Sequence, residues 1–593
     1  MTRALVLALA VLALSPAAAL AHAQLEGTSP ARGAVLQTQP SAVVFRFGEA
    51  VEGNFGAVKV FDAKGERVDD GKVVHPGGRG SEVAAGLKPH LADGTYTATY
   101  RVISADSHPV EGGVVFSIGR PGAAGETVAD LLAGASSGPV TEAAFGVVRG
   151  LDYLAIALAV GGLAFLLAAW RPALAVAAGA GADWPQAAAV FAGRARRLLW
   201  IAVVVGVISG ALGIVLQGAT ASGTTFWSAL DPTVVREVLG TRFGTVWGLR
   251  VVAWLVLGGV LLVGAGSRTV AVLRPAAVGA AGVAPAPGPS RGVLAALAVP
   301  VGFLLLSPAL AGHATTLHPV AVLLPLDVVH VTAMSVWVGG LVMLLFVLPG
   351  ATRRLAPPER TRLLAALLVR FSPMALVCVA ALLITGVTQA LIDMGGLSHL
   401  FDTPFGRAVV IKFVLLMALI ALGAVNRRRV VPSLRRLAAD GDAPGGSGRL
   451  LRRTLRAEVV LLVVVLGVTS ALVSYAPPKS SANGGPYSTT TRIGPIELET
   501  TLDPARVGAN QLHVYLFDAR SGAPYTKTKE LTVEAMQHDK GIGPLPVTVH
   551  KAGPGHYIAD AVVLSPGGTW HLTIVDRVSD FDEYTKTLTV PVR

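Results

Sequence analysis

Cysteine is nearly absent from this chain of 593 residues, and the single one, Cys378, lies inside an apolar run. One cysteine cannot form a disulfide within the chain, a zinc site made of thiolates or a CxxC metal shuttle. Charged residues make up only 15% of the sequence and aromatic residues only 6%. The sequence also has no phosphate-binding loop of the GxxxxGKS type and no DKTG-type phosphorylation motif, which argues against ATP-driven transport by this chain.

Apolar residues dominate the composition instead. They make up 52% of the sequence, and the mean hydropathy is +0.60. These values are typical of a membrane protein that carries soluble domains. Eight apolar runs have about the ~20 residues that a bilayer requires, so they predict eight membrane spans. The predicted spans are 144–169, 198–218, 245–265, 292–311, 321–348, 371–392, 406–425 and 457–475.

The distribution of arginine predicts the orientation of these spans. The formal net charge is +12, but the arginines are concentrated in the loops after the first, third, fifth and seventh runs, not in a patch for nucleic acid. The positive-inside rule places those loops in the cytoplasm. Residues 1–21 have a positive start, an apolar centre and an Ala-Leu-Ala end, the pattern of a secretory signal peptide. Both signals predict a multi-pass plasma-membrane protein with its N- and C-terminal domains outside the cytoplasm, whose partners include lipid and exclude nucleic acid.

Runs typical of β-strands flank the apolar region on both sides. Residues 22–120 and 477–593 each predict a β-sandwich. Residues 121–143 are rich in glycine, alanine and serine and predict a linker to a membrane domain at 144–475. The expected fold class is a mixed membrane protein, with an extracellular β-sandwich, an eight-helix α transmembrane domain and a second extracellular β-sandwich at the C-terminus. The strands are expected at 41–47, 57–61, 94–102, 113–118, 511–517, 547–550, 556–563 and 569–575.

Matching motifs indicate that the membrane domain consists of two parallel repeats of four spans. Thr241-Arg-Phe-Gly244 precedes Arg250, and Thr403-Pro-Phe-Gly406 precedes Lys412 at the same spacing. The two halves also each have a Leu-Asp pair followed by Gly-Gly-Leu. Parallel repeats are a recurrent transporter architecture.

Three residues of the N-terminal domain form a candidate metal site. Cleavage after Ala21 would expose His22 with a free α-amine, so that one residue offers two nitrogen ligands. Asp106 and His108 are two residues apart and point to the same side of an extended chain. Nitrogen and oxygen donors of this kind suit Cu(II). The alternative interpretation is that Asp106 and His108 only cap a turn.

Residues 22–120 resemble copper resistance protein C (CopC). The resemblance is carried by His22, Thr28-Ser-Pro-Ala-Arg-Gly33, Val44-Phe-Arg-Phe-Gly-Glu49 and Ser104-Ala-Asp-Ser-His-Pro-Val-Glu-Gly112. It implies a Greek-key β-sandwich that binds Cu(II) through the amine and imidazole of His22, Asp106 and His108. It also implies a supporting role for Glu49 behind these ligands. Because residues 22–120 contain no methionine, a Met-rich Cu(I) site is not expected there.

Residues 144–475 resemble copper resistance protein D (CopD), and fused CopC–CopD chains are associated with copper uptake. The matching pieces are Gly312-His-Ala314, Asp327-x-x-His330 with Trp337-Val-Gly-Gly340, Phe405-Gly-Arg407 with Lys412, and Asn426-Arg427. Residues 477–593 resemble YtkA-like domains. That match rests on Arg506-Val-Gly-Ala-Asn510 and Gly567-Gly-Thr-Trp-His571.

Ionisable residues inside spans are costly and are usually functional. His313, Asp327 and His330 are expected near the outer ends of spans four and five, where an ion from outside would enter. Asp327 and His330 are one helical turn apart on one face, and Met334 follows on that face. Met334 is a candidate ligand for Cu(I), with helix packing as the alternative interpretation.

Other polar residues are expected to be structural. Glu458, paired with Arg250 or Lys412, is expected to form a buried ion pair. Most remaining extracellular histidines are expected to be surface residues or to be satisfied locally, and Met536-Gln-His538 is a candidate second copper contact. These histidines are His75, His90, His513, His538, His550, His556 and His571.

The sequence therefore predicts a non-enzymatic copper-binding and copper-transport protein. The N-terminal domain captures Cu(II) and passes copper to the membrane domain for import, where Cu(I) is a candidate species and a copper chaperone or reductase a candidate partner. An inside-negative potential favours cation entry by about 2.3 kcal/mol per charge per 100 mV. Three alternatives stay open: copper resistance by sequestration or export, a haem-binding electron-transfer protein with His313 and His330 as axial ligands, and an N-terminal-histidine copper monooxygenase.

Overall fold

The chain is a mixed membrane protein, as predicted, with a β-sandwich, eight long apolar helices and a second β-sandwich in chain order. A computed structural model provides its structure. It describes residues 25–31, 34–53, 56–104, 109–120, 131–132, 137–179, 183–266, 278–279, 282–283, 291–315, 319–394, 399–472, 487–503, 505–520 and 524–592. The signal peptide expected at 1–21 lies outside these residues.

The N-terminal sandwich consists of two packed sheets. One has the strand order β1-β3-β7-β6, and the other has the order β2-β9-β8-β4 with β5 also paired to β8. In β3, Val43, Phe45 and Phe47 are buried while Arg46 is exposed, which is the alternation of a strand with one face in a core. The strands are β1 Leu25–Ser29, β2 Val35–Leu36, β3 Ala42–Phe47, β4 Val51–Glu52, β5 Val58–Phe61, β6 Asp69–Val74, β7 Glu82–Leu87, β8 Gly94–Ser104 and β9 Pro109–Ile118.

Among its described residues, the membrane domain has eight helices long and apolar enough to cross a bilayer, the number that hydropathy predicts. Span 1 begins at Pro139, inside the stretch 121–143 that the sequence suggested as a linker. Proline at the first helical position and Glu142 in the first turn both favour a helix start there. The bounds are span 1 Pro139–Ala177, span 2 Asp183–Ser222, span 3 Arg242–Val263, span 4 Arg291–Leu310, span 5 Val320–Thr352, span 6 Pro357–Met394, span 7 Pro404–Ala439 and span 8 Gly445–Leu472.

Short elements lie between the spans and within the sandwiches. A two-residue hairpin, β10 (Val278–Gly279) with β11 (Gly282–Val283), lies between spans 3 and 4 in the chain. The short helices are Pro76–Gly78, Ser228–Leu230, Pro232–Gly240, His313–Thr315, His399–Asp402 and His538–Lys540.

The two halves of the membrane domain share a helix cap. The Thr241 hydroxyl accepts a hydrogen bond from the Gly244 N–H at 3.0 Å before span 3, and the Thr403 hydroxyl accepts one from the Gly406 N–H at 3.0 Å before span 7. A threonine that satisfies the third amide of a helix is a favourable N-cap. The repeated Thr-x-Phe-Gly motif is therefore a structural equivalence, and it places Arg250 and Lys412 at the same depth below their caps.

Spans 1, 5 and 7 each contain one π-helical turn followed by a proline. The turns are Leu166–Trp170, Met343–Val347 and Asn426–Val430. A proline two residues after each turn has no N–H and crowds the carbonyl four residues earlier. The residue just before each proline instead donates to the carbonyl five residues earlier, as Arg171 does to Leu166.

Spans 1 and 5 cross at two glycines. A Cβ at Gly161 would overlap the Ser335 carbonyl oxygen, and one at Gly339 would overlap the Ala157 carbonyl oxygen. Small residues allow the two helix backbones to touch, which strengthens packing inside a membrane. The first spans of the two halves are therefore in direct backbone contact, and they are the most deeply buried of the eight described spans.

The C-terminal sandwich has a five-stranded sheet, β12-β13-β14-β18-β17, packed on a four-stranded sheet, β16-β15-β19-β20. The stretch 547–550, predicted as one strand, instead joins β16 to β17, because the chain changes sheets there. The strands are β12 Tyr487–Ile493, β13 Ile496–Asp503, β14 Gly508–Asp518, β15 Glu530–Gln537, β16 Ile542–Val547, β17 His550–Gly553, β18 His556–Leu564, β19 Gly568–Arg577 and β20 Glu583–Val592.

Candidate functional site

The three predicted Cu(II) ligands, His22, Asp106 and His108, lie outside the described residues. The strands next to them meet at one end of the N-terminal sandwich. Leu25, at the start of β1, pairs with Phe47 at the end of β3, and Phe47 is hydrogen-bonded to Ser81. The neighbouring Val51 is hydrogen-bonded to Gly80 and pairs with Ser104, the last residue of β8.

Ile103 in turn pairs with Pro109 at the start of β9, so the segment with Asp106 and His108 leaves and re-enters the sandwich at this same end. Glu49 lies between β3 and β4, also at this end, and is half-buried. The chain thus enters β1 at the end of the sandwich where the Asp106–His108 segment connects β8 to β9. The ligand set itself, and the supporting role of Glu49, remain predictions.

A polar cluster lies within spans 5, 6 and 7. Asp327 and His330 are one turn apart on span 5, and both interact electrostatically with Lys412 of span 7. Gln389 of span 6 lies beside Asp327. The cluster therefore combines a carboxylate, an imidazole and an amine among apolar helices.

One hydroxyl fixes the His330 ring. Its Nδ1 lies 2.8 Å from Thr385 Oγ1, which itself lies 2.7 Å from the Ala381 carbonyl oxygen of the same helix. A carbonyl can only accept, so the single hydroxyl proton of Thr385 goes to Ala381, and Thr385 accepts from the His330 Nδ1–H. In the neutral ring the lone pair is then on Nε2, as metal ligation requires.

A glycine makes room for this ring. A Cβ at Gly386 would lie 3.3 Å from His330 Cε1, so a larger residue would press on the imidazole. Met334 is half-buried and packs against the hydrophobic core of the spans. His313 begins the short helix between spans 4 and 5, and its side chain lies outside what the structure describes.

The equivalent position in the first half holds a tight ion pair. Arg250 Nη1 lies 2.7 Å from Asp152 Oδ2, with the side chains 1% and 0% exposed. Arg250 Nε donates to Ser307 Oγ at 2.8 Å, and the guanidinium lies 4.5 Å above the Trp247 ring. Arg250 is therefore in a structural ion pair, as expected, but its partner is Asp152.

Glu458 has a different partner from those expected. Its Oε1 accepts from Asn426 Nδ2 at 2.8 Å, and Asn426 Oδ1 accepts from the Thr454 hydroxyl at 2.6 Å. Arg250 and Lys412 face Asp152 and Asp327 instead. The expected pairing of Glu458 with either cation is corrected, because the register of spans 7 and 8 brings it to an amide at the π turn.

The C-terminal sandwich contains two buried histidines that sequence reasoning treated as ordinary. His513 and His556 are each 7% exposed, and Nδ1 of His513 lies 3.2 Å from Nε2 of His556. Burial, followed by the nearby His513 and His550, lowers the pKa of His556 to about 4, so its ring is neutral at neutral pH. Only the sheet register could have revealed this pair, because the residues are far apart in sequence.

A second histidine pair, His538 and His571, has ring centroids 4.7 Å apart on the other sheet. Across the described residues, no group of three or more His, Cys, Asp or Glu side chains converges on one point as a complete metal site would require. The membrane cluster and the His513–His556 pair are thus partial donor sets.

Family profiles match three parts of the chain. The CopC domain matches residues 25–119, the copper resistance protein D-like N-terminal domain matches 140–286, and copper resistance protein D matches 365–472. The copper transport protein CutJ of Bacillus subtilis (strain 168) is 25% identical over 581 residues, covering 96% of this chain and 97% of CutJ. Protein YobA of Escherichia coli (strain K12) is 31% identical over 98 residues, covering 16% of this chain and 79% of YobA.

Two solved structures are also similar to part of this chain. CopC from Methylosinus trichosporium OB3b is 29% identical and covers 17% of this chain and 95% of its own, with a TM-score of 0.15. PcoC, described as a methionine-rich copper resistance protein from Escherichia coli, is 24% identical and covers 16% of this chain and 99% of its own, with a TM-score of 0.15.

Proposed function

Because the chain belongs to the family of fused copper resistance proteins C and D, we propose that it imports copper across the plasma membrane. The N-terminal sandwich captures Cu(II) outside the cytoplasm through His22, Asp106 and His108. Copper then passes inward beside Asp327 and His330. The observation that carries the proposal is the His330 ring, held by Thr385 within the spans so that Nε2 keeps its lone pair.

Capture uses a donor set that ordinary cations bind weakly. An α-amine, two imidazoles and a carboxylate are nitrogen and oxygen ligands, for which Cu(II) has the highest affinity among the first-row divalent ions. Binding releases a proton from the amine, whose reference pKa is about 7.7–8.0. Capture should therefore weaken as the pH outside the cell falls.

The proposed conduction path includes a carboxylate, Asp327, whose negative charge is already balanced by a neighbouring amine. Lys412 lies close enough to Asp327 to offset its charge. A copper ion bound by Asp327 and by Nε2 of His330 would replace the Lys412 ammonium at the carboxylate. Copper entry and the release of Lys412 would then be coupled, which limits passage to cations able to compete for a carboxylate and an imidazole together.

The electrical driving force favours entry. An inside-negative membrane potential contributes about 2.3 kcal/mol per charge per 100 mV. The sequence has no phosphate-binding loop of the GxxxxGKS type, so this gradient is the expected energy source. The basic loops support an orientation with both sandwiches outside the cytoplasm.

Copper accumulation in cells tests the proposal. Expression of the unmodified chain should raise intracellular copper, and His330→Gln should reduce the uptake rate at least about tenfold, because it removes a ligand. Thr385→Val should also slow uptake, because the valine cannot hold the ring. Thr388→Val is the matched control, since the Thr388 hydroxyl bonds only the Ile384 carbonyl of its own helix among the described contacts.

Three results would count against this account. Lower intracellular copper on expression would indicate export or sequestration. Equal loss of uptake in Thr385→Val and Thr388→Val would show that the His330 hydrogen bond is not the cause. A Soret band in the purified chain would favour the haem-binding alternative.

A further inference from the structure

We propose that the first turns of span 8 bind the headgroups of anionic phospholipids. The binding surface is an arginine stripe on one side of the helix, and all of its side chains are exposed. The stripe consists of Arg449, Arg452, Arg453 and Arg456. The proposal depends neither on copper nor on the direction of transport.

Span 8 has two different faces over these turns. At about 100° per residue, the four arginines of the stripe lie within about 100° of the helix circumference. The opposite side packs against spans 1, 5 and 7. The buried residues on that side are Gly448, Leu451, Thr454, Leu455 and Glu458. The stripe is therefore turned away from the helices that surround span 8.

Polar contacts with span 7 fix this rotation of the helix. Glu458 Oε1 accepts a hydrogen bond from Asn426 Nδ2 at 2.8 Å, and the Thr454 hydroxyl donates to Asn426 Oδ1 at 2.6 Å. One turn before the stripe, the Ser433 and Ser447 hydroxyls are 2.7 Å apart. Because both ends of the buried face are held, the helix cannot rotate to bring the arginines inward.

The same face continues along the span as a lipid-facing surface. Val460 is 39% exposed and lies four residues after Arg456 and eleven after Arg449, on the side of the stripe. The helix Gly445–Leu472 has 28 residues, so it is about 42 Å long, whereas the hydrocarbon core of a bilayer is about 30 Å thick. Since the end beyond Glu458 is apolar, the excess length lies at the arginine end, at the depth of the headgroups.

The stripe has no counter-charge on its own helix. Glu458 is the only acidic residue of this helix, and it lies on the buried face. Arg449 and Arg453 are four residues apart, as are Arg452 and Arg456, so like charges face each other along the stripe. A phosphodiester anion would relieve this repulsion, and a guanidinium group binds phosphate oxygens through two parallel N–H bonds. Charge and depth together therefore favour the headgroup of an anionic lipid.

An orientation signal alone does not require this arrangement. The positive-inside rule needs arginine at this end of the span, but it does not need the arginines on one face. The stretch 427–456 also holds nine arginines against two acidic residues, Asp440 and Asp442. We therefore expect the stripe to bind anionic lipid more tightly than the other basic loops do.

Native mass spectrometry of the full chain in detergent tests the proposal. The unmodified chain should bind phosphatidylglycerol at least about tenfold more tightly than phosphatidylcholine with the same acyl chains. Replacement of all four stripe arginines by glutamine should reduce this preference to less than about twofold. The matched control removes four exposed arginines from other basic loops and should keep the preference. Its substitutions are Arg196→Gln, Arg197→Gln, Arg353→Gln and Arg354→Gln.

Two further measurements keep the test specific. The stripe side chains are exposed, so the unfolding midpoint of the fourfold variant should match that of the control. If the fourfold variant does not fold, the double variant Arg449→Gln, Arg453→Gln should still lower the preference at least about threefold. Inorganic phosphate at 50 mM should displace no more lipid than chloride at equal ionic strength, since a free anion lacks the acyl chains that hold the headgroup at this depth.

Three outcomes would overturn the proposal. The first is an unchanged preference for phosphatidylglycerol in the folded stripe variants. The second is an equal loss in the matched control, which would indicate general attraction by basic loops. The third is displacement of the lipid by inorganic phosphate, which would indicate a site for a free anion.

Discussion

A buried carboxylate shapes the pH response of the C-terminal sandwich. Asp576 is 0% exposed, and burial raises its pKa to about 6. Its carboxylate accepts one hydrogen bond, from the Thr528 hydroxyl at 3.3 Å, and Oδ1 has no partner among the described residues. The folded state therefore binds this proton more tightly than the unfolded chain, so stability falls as the pH rises from about 3.8 to about 6.

We expect Asp576→Asn to stabilise this sandwich at pH 7 by on the order of 1–3 kcal/mol, because no charge is then buried. The gain should vanish below about pH 4, where Asp576 is already protonated. Oxidation of Met536 by peroxide across a urea titration, read by mass spectrometry, reports this domain alone, since it holds no other methionine. Asp580→Asn, at an exposed position, is the control and should change little. A loss of stability in Asp576→Asn at pH 7 would contradict this account.

Individual residues show which parts of the candidate sites the sequence could predict and which parts it could not. Asp327 and His330 stand out in the sequence because charge and imidazole are rare in spans. Thr385, which fixes the His330 ring, does not stand out, because threonine is common in apolar helices and only helix packing brings it near. His513 and His556 were missed for a related reason: their contact depends on the pairing of β14 with β18, which no short-range pattern encodes.

Among the elements, the crossing of spans 1 and 5 depends on a close approach of two helix backbones. Gly339→Ala should separate the two helices and destabilise the membrane domain by about 1–3 kcal/mol or more, since the added Cβ meets backbone that cannot rotate away. Gly302→Ala in span 4 is the control, because nothing lies within 4 Å of its added Cβ. Thermal unfolding in detergent should show a lower midpoint for Gly339→Ala only. Equal midpoints would mean that the crossing tolerates more separation than its geometry implies.

Element type was predictable, and element length was not. Hydropathy located all eight spans, but span 2 begins at Asp183 and span 6 at Pro357, well before the predicted starts at 198 and 371. Hydropathy measures only the stretch that lipid covers. The arginine-bearing turns before it continue the same helices, because arginine is a good helix former. Pro185, Pro357 and Pro358 lie in the first turns, where proline is tolerated, and the helix continues through Gly193.

For the whole molecule, the two membrane halves hold different charged groups in the same framework. At equivalent depths, the first half has Arg250 locked to Asp152, and the second has Lys412 near Asp327 and His330. Arginine stays charged under all ordinary conditions, whereas lysine can release its proton in an apolar environment. On the proposed function, we expect the first half to serve stability and the second to serve the movement of charge.

This division predicts opposite outcomes for two matched substitutions. Asp152→Asn leaves a buried, permanently charged guanidinium and should destabilise the domain by about 3–5 kcal/mol. Asp327→Asn should leave the unfolding midpoint nearly unchanged, since Lys412 can become neutral, and should abolish copper uptake. Unfolding in detergent and uptake in cells measure the two effects. Similar stability losses in both variants would mean that the halves do not differ in this way.

The π turns of spans 1, 5 and 7 also bear on how such chains change in length. Each turn accommodates one residue more than an α-helix would, so the helix beyond it is rotated by about 100°. Deleting one residue there would restore α-helical bonding and swing every later side chain to a new face. The nearby proline would then lose its wide turn and break the helix. The extra residue of each π turn and the proline that follows it are therefore linked. A related chain that lost one of them would be expected to lose the other.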